Sequence, residues 1–136
     1  MIGSPERVVA KARTAVGTRF RPQGRNPQTG LDCVGLATWA FDIPAETIRG
    51  NYRLGGAHFA ELERELTKRF SRAGFEGRPA DLWLCRISSR QAHLSICCGQ
   101  SFVHADARLR RVVETPGRPP WPVIAAFRIK QTHNPG

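Results

Sequence analysis

A chain of 136 residues suffices for one hydrophobic core and not for two, so a single domain is expected over residues 1–130, with residues 131–136 a loose tail. The 21 Lys and Arg against 11 Asp and Glu give a net charge of +10, carried almost wholly by arginine, since only Lys11, Lys68 and Lys130 are lysine. Such a surface favours an anionic partner such as nucleic acid, a lipid headgroup or an acidic wall polymer. Nothing approaches the ~18 consecutive apolar residues of a membrane span, and Met1 to Arg19 lacks a signal-peptide core, so no membrane partner and synthesis in the cytoplasm are expected.

Ser4-Pro5-Glu6 is a helix start, with Ser4 as cap and Pro5 in the first turn. Val8, Val9, Ala12, Ala15 and Val16 mark its apolar face, and Gly17 ends it. The segment from Arg19 to Gly30 carries Pro22, Gly24, Pro27 and Gly30 and reads as a shaped loop. It delivers Cys33 to the first turn of a helix whose Leu36, Trp39 and Ala40 recur at helical spacing. At such a position free amides and the helix dipole favour negative charge, which predicts a populated thiolate at Cys33.

Pro44 to Gly56 reads as irregular, with Gly50, Asn51, Gly55 and Gly56 as breakers. A further amphipathic helix is expected from about Ala57 to Phe70, with Phe59, Leu62, Leu66 and Phe70 inward and His58 at its start on the surface. From Asp81 the pattern becomes extended. Strands are predicted at Leu82–Ile87, Ala92–Cys98, Ser101–Ala107, Arg111–Glu114 and Val123–Ile129, while the proline-rich crossing Pro116–Pro122 cannot be central sheet. Helices first and antiparallel strands second is an α+β layout.

Chemistry concentrates on one hairpin. Gly99-Gln100 fits a tight two-residue turn, which places Cys98 opposite Ser101, Ser95 opposite His104 and His93 opposite Asp106. Alternation then sets His93, Ser95, Phe102, His104 and Asp106 on one face and Leu94, Ile96, Val103 and Ala105 on the other. His93 and His104 become diagonal neighbours, roughly 7–8 Å apart at Cα. With the Cys33 helix laid over the histidine face, Cys33 is the nucleophile, His93 takes its proton, His104 fixes the tautomer of His93, and the Cys33 backbone N–H meets the oxyanion.

The four cysteines offer neither a Cys-x-x-Cys pair nor a disulfide framework. Cys97 and Cys98 are adjacent and point to opposite faces of a strand, which counts against zinc. The arginines are scattered and no RNA- or DNA-binding motif stands out, so no specific nucleic acid is expected.

These residues together resemble the NlpC/P60 family of cysteine peptidases, and most closely its phage-type members from tail gene clusters and gene transfer agents. The family's Asp-Cys-x-Gly-Leu stands as Asp32-Cys33-Val34-Gly35-Leu36, and its histidine hairpin as His93 to Ala105. Val16-Gly17-Thr18-Arg19-Phe20, Gln23-Gly24-Arg25 and Ile124-Ala125-Ala126-Phe127-Arg128 are similar to its flanking segments. The resemblance implies a papain-like fold and a hydrolase of peptidoglycan stem peptides, at a D-glutamyl to diaminopimelate-type linkage, with Cys33, His93 and His104 catalytic and no cofactor or metal. It also implies association with phage-tail or tail-hub proteins and action in the periplasm. Asp32, Asp106, Phe20 and Ser95 are the further positions expected to orient the histidine or touch substrate.

Several residues depart from the family pattern. Ser95 and Ala80 stand where glycine is usual, Phe20 stands where tyrosine is frequent, and the hairpin is one residue short, which leaves Asp106 beside His104 as the orienting group. The alternative they raise is a wall-binding tail protein of the same fold with weak or no turnover.

Overall fold

Ser4 caps the first helix, α1 (Pro5–Thr14), its hydroxyl accepting from the Arg7 amide at 3.2 Å, and Val8 and Ala12 are buried. The computed structural model describes residues 3–48, 56–89 and 91–130; the expected breakers Gly50, Asn51 and Gly55, the side chain of His58 and the tail 131–136 lie outside the described residues. After α1, two short strands, β1 (Arg25–Asn26) and β2 (Gly30–Leu31), pair within the loop, and α2 (Cys33–Ala40) follows directly. A single 3₁₀ turn, Ala45–Thr47, precedes α3 (Gly56–Arg69). The sheet is built from β3 (Phe70–Ala73), β4 (Leu82–Ser88), β5 (Gln91–Cys97), β6 (Ser101–Asp106), β7 (Arg111–Pro116) and β8 (Val123–Ile129). Its order is β3-β8-β4-β5-β6-β7, with every neighbouring pair antiparallel. This is the expected α+β arrangement of N-terminal helices against a C-terminal antiparallel sheet.

Two differences from the sequence reading have simple causes. The third helix stops at Arg69 and the chain passes straight into β3, because Phe70 belongs to the helical stripe and also pairs with Ile129 of β8. β1 and β2 have two residues each, too few for any period to register.

The placement of α2 is a correction. Leu94, Ile96, Val103 and Ala105 are buried in one core with Val34, Leu36, Ala37 and Phe41, so α2 covers the apolar face of the hairpin and not the histidine face. Burial of apolar area drives it: Val34 to Thr38 and Ala40 are all buried, and the aliphatic face carries none of the histidine, serine and aspartate side chains of the other. The opposite face of the sheet carries a second cluster of Trp83, Cys85, Cys97, Phe102 and Ala126, with Trp121 and Val123 packed against it.

The tight turn holds as predicted, with Gly99 at φ +103° and Ile96↔Val103 and Cys97↔Phe102 in register. Beyond those pairs β5 and β6 part, while β5 stays paired with β4, and β6 with β7 out to Asp106. The parting opens one end of the sheet, and residues from both faces reach the gap.

The loop before α2 lies directly on the helix. A Cβ built on Gly35 would stand 1.9 Å from the Gly24 carbonyl oxygen, a backbone atom with little freedom to retreat. Gly35→Ala is therefore expected to cost about 1–3 kcal/mol of stability through overpacking. A lowered thermal midpoint checks this; an unchanged midpoint shows that the loop yields.

Candidate active site

Asp32 organises the start of α2. It is 8 % exposed, and its Oδ1 accepts from the Gly35 N–H at 2.8 Å and from Arg25 Nη1 at 2.7 Å, while Oδ2 accepts from the Gln23 N–H at 2.8 Å. Burial raises its pKa, and the Gly35 amide and the Arg25 guanidinium oppose that rise. The carboxylate thus caps the helix and pins the loop from Gln23 to Arg25 beside Cys33.

The same cap changes the expected state of the cysteine. Burial, and after it the adjacent Asp32 carboxylate, push the Cys33 thiol up to about 12, against weaker pulls from the Leu94 amide, Arg25 and the Val34 amide. An eight-residue helix whose first turn is already engaged by a carboxylate has little field left for a second negative charge. The resting group is a thiol, not the thiolate that its helix position suggested.

The diagonal histidine pair predicted from the hairpin is present. His93 Nε2 lies 3.0 Å from His104 Nδ1, with ring centroids 5.1 Å apart and planes at 87°. One of the two nitrogens must donate. If His93 carries its proton on Nε2, its Nδ1 keeps a free lone pair, the tautomer a general base for a thiol requires. Burial first, and His104 second, lower the pKa of His93 to about 3, with Asp106 opposing; burial lowers that of His104 as well. Both rings are neutral at ordinary pH.

Of the two groups expected to orient His93, His104 makes the hydrogen bond. Asp106 spends its Oδ1 on the Arg108 and Leu109 amides of the following turn, at 2.8 and 3.1 Å, and acts on the imidazoles through space.

Sequence reasoning missed Trp121. Its ring lies edge-on to His93 at 5.0 Å and 75° and to His104 at 5.3 Å and 70°, and Phe102 packs against His104 at 5.0 Å and against Trp121 itself at 6.4 Å. Pro119, Pro120 and Pro122 surround it, and the Pro122 carbonyl accepts from the Arg86 amide at 2.9 Å, so the indole is carried on a stiff, anchored strap. The signal was available: a tryptophan inside a proline run is a rigid aromatic with little reason to be in a crossing loop unless it covers something.

At the open end of the sheet these groups enclose a cleft of about 620 Å³, a size ordinary for small-molecule and peptide sites. Cys33, Asp32, His93, His104, Asp106 and Phe20 all line it, together with Trp121, Gln23 and Arg108. Ser95 is not brought there: it is fully buried, paired across the ladder with Trp83. Among the described residues the side-chain hydrogen bond of His93 is the one to His104, so sulfur and imidazole share the cleft without being bonded to each other. Catalytic hydrogen bonds that are long in an empty site commonly tighten only around substrate. Among the described residues no cluster of His, Cys, Asp and Glu is arranged to hold a metal ion.

No family model and no curated protein sequence matches the chain. Solved structures do. NlpC1 from Trichomonas vaginalis superposes with a TM-score of 0.67 at 19 % identity, over 92 % of this chain and 44 % of that one. RipB, a peptidoglycan hydrolase from Mycobacterium tuberculosis, gives 0.63 at 18 % identity over 93 % of this chain and 65 % of its own. The P60 domain of an antigen from M. avium subspecies paratuberculosis gives 0.60 at 17 % identity, covering 93 % of this chain and 96 % of that domain. The chain thus spans less than half the length of NlpC1 and nearly all of the P60 domain. Identities this low establish a shared fold, that of the NlpC/P60 hydrolases, and leave chemistry to be argued from the residues.

Proposed function

We propose that the protein is a cysteine hydrolase that cleaves the peptide stems of bacterial peptidoglycan. The observation that carries this reading is the convergence of Cys33, at the first turn of a buried helix, with a hydrogen-bonded His93–His104 pair in one cleft of an NlpC/P60-type fold. Cys33 attacks the scissile carbonyl and His93 Nδ1 takes its proton as the bond forms. His104 holds the tautomer of His93. The departing amine regains the proton from His93, and water then releases the acyl group from the sulfur. The bond we assign is the D-glutamyl to diaminopimelate-type linkage, and the setting a phage tail or gene transfer agent acting in the periplasm. The likeness of Asp32 to Leu36 and of the histidine hairpin to phage-type members supports that setting, and the net charge of +10 suits an anionic wall.

The test is digestion of purified muropeptides by wild type and by Cys33→Ala, with new amine ends identified by mass spectrometry. Products that appear only with the cysteine are expected. Their absence overturns the hydrolase reading. One observation favours a second reading, a wall-binding module without turnover: among the described residues no hydrogen bond joins the Cys33 sulfur to His93. On that reading stem peptides bind and remain intact.

A further inference from the structure

Arg19 and Arg111 are bridge partners in an antiparallel ladder. The Gly17 amide donates to the Val112 carbonyl at 2.8 Å, the Val112 amide to the Thr18 carbonyl at 2.8 Å, and the Phe20 amide to the Arg110 carbonyl at 3.0 Å, so the register is fixed from both sides. Directly opposed residues raise their side chains on the same face, with Cβ atoms about 4.5–5.5 Å apart, and like charges so placed repel. Both arginines are exposed.

Several other arginines are paired with carboxylates, among them Arg7 with Asp42, Arg13 with Glu114, Arg25 with Asp32, Arg72 with Glu63 and Arg128 with Asp81. Among the described residues neither Arg19 nor Arg111 is in an ion pair. Across the sheet from Arg111 stands Asp106, whose Oδ1 accepts from two turn amides; its charge remains, but among the described residues it makes no ion pair with Arg111. The pair is thus a repulsive contact that an anion between the guanidiniums would turn into an attractive one.

Its place gives the pair a use. Asp106 pairs with Arg111 and His104 with Val113, so both arginines rise on the sheet face that carries His104 and Trp121. Asp106 and Arg108 line the cleft. Two strand spacings of about 4.8 Å separate Asp106 from Arg19, the reach of about three extended residues.

We propose that Arg19 and Arg111 form an anion subsite beside the cleft, which holds a free carboxylate of the peptide stem a few residues from the bond being cut. The substrate identity rests on the hydrolase reading; the anion subsite does not. Two guanidinium forks opposed across a ladder suit the bidentate geometry of a carboxylate, and a carboxamide at the same place cannot neutralise them.

The experiment uses the Cys33→Ala protein, so that nothing is consumed, and two stem peptides that differ only in carrying free carboxylates or carboxamides. Calorimetry is expected to show the free acid binding about tenfold tighter, the scale of one charge-assisted hydrogen bond. That preference should vanish when Arg19→Gln and Arg111→Gln are added, and shrink as salt is raised. The Gln variants are expected to melt no lower than their parent, since both positions are exposed and a repulsion is removed. Equal binding of the two peptides, a preference that survives both substitutions, or no binding of either peptide overturns the proposal. So does a DNA duplex that competes better than the free acid and loses its grip in the same variants, which would give the pair to a polynucleotide. If wild type cleaves neither peptide while the preference stands, the hydrolase reading fails and the subsite remains.

Discussion

Asp81→Ala is expected to lower the unfolding free energy by about 3 kcal/mol, the lower end of the ~3–5 kcal/mol seen when one partner of a buried ion pair is removed. The carboxylate is fully buried, and Oδ1 and Oδ2 accept from Arg128 Nε and Nη2, each at 2.8 Å, in a two-pronged contact that ties the start of β4 to β8. Oδ2 also accepts from the Arg78 amide at 2.9 Å. Arg128 has its pKa raised chiefly by this contact, and it is 28 % exposed with Glu76 at 3.3 Å, so water and Glu76 recover part of the loss.

The turn before Asp81 adds to the cost. Ala80 sits at φ +73°, in the left-handed region where a Cβ is disfavoured by about 1–2 kcal/mol. It is held by the hydrogen bond its N–H donates to the Cys97 carbonyl at 2.7 Å, by the return hydrogen bond from the Cys97 amide to the Asp81 carbonyl at 2.8 Å, and by the Asp81 side chain. Those bonds also fix the far end of β5, the strand that presents His93. Urea titration should show the midpoint falling with the m-value unchanged. Asp81→Ala combined with Arg128→Met should cost less than the two changes summed, because the second removes the stranded charge. A single-variant loss below about 1 kcal/mol, the size of a surface pair, would mean that the fork contributes little.

The parts of this architecture that follow from local rules were legible in the sequence. Ser4 caps α1, which stops at Thr14, three residues short of the expected Gly17, and Gly99-Gln100 fixes a register in which His93 and His104 must be diagonal neighbours. What was not legible depends on contacts between distant segments. Alternation separates the two faces of a hairpin but does not say which face a helix will cover, and α2 took the aliphatic one. The parting of β5 from β6 has no local signature, yet it lets groups from both faces reach one cleft. Trp121 was hidden by its setting, since prolines that exclude a segment from the sheet say nothing of what the segment covers. The upward shift of the Cys33 thiol is hidden for a related reason. A helix start argues for a thiolate only while its amides are free, and Asp32, visible one residue upstream, had already taken the Gly35 amide.

His93→Gln is expected to reduce kcat/KM on a stem peptide by about 10²–10⁴-fold, the usual contribution of a positioned general base. Glutamine keeps a polar group facing His104 but cannot take a proton from sulfur, so binding should persist while turnover is lost. Stability should respond to pH in a way that identifies the same group. His93 moves from an ordinary value of 6.5 to about 3 on folding, so between those limits the unfolded chain binds a proton that the native chain refuses. Native stability therefore falls as pH drops through this window, by about 1.4 kcal/mol per pH unit for one proton. The Gln variant should lose that slope and keep the part due to His104, whose pKa is lowered in the same direction.

The cysteine provides the complementary measurement. With its thiol pushed up to about 12, alkylation of Cys33 by iodoacetamide should rise about tenfold per pH unit from pH 7 to pH 10, in wild type and in His93→Gln alike. A wild-type rate that levels off below pH 7, and does not do so in the variant, would mean that a thiolate and an imidazolium already face each other in the empty cleft. The neutral pair makes a different demand on the chemistry. Proton transfer must wait for substrate, whose carbonyl gives the sulfur somewhere to go as its proton leaves for His93. The aromatic-walled setting that opposes charge on either partner alone is then the setting in which the two must change together.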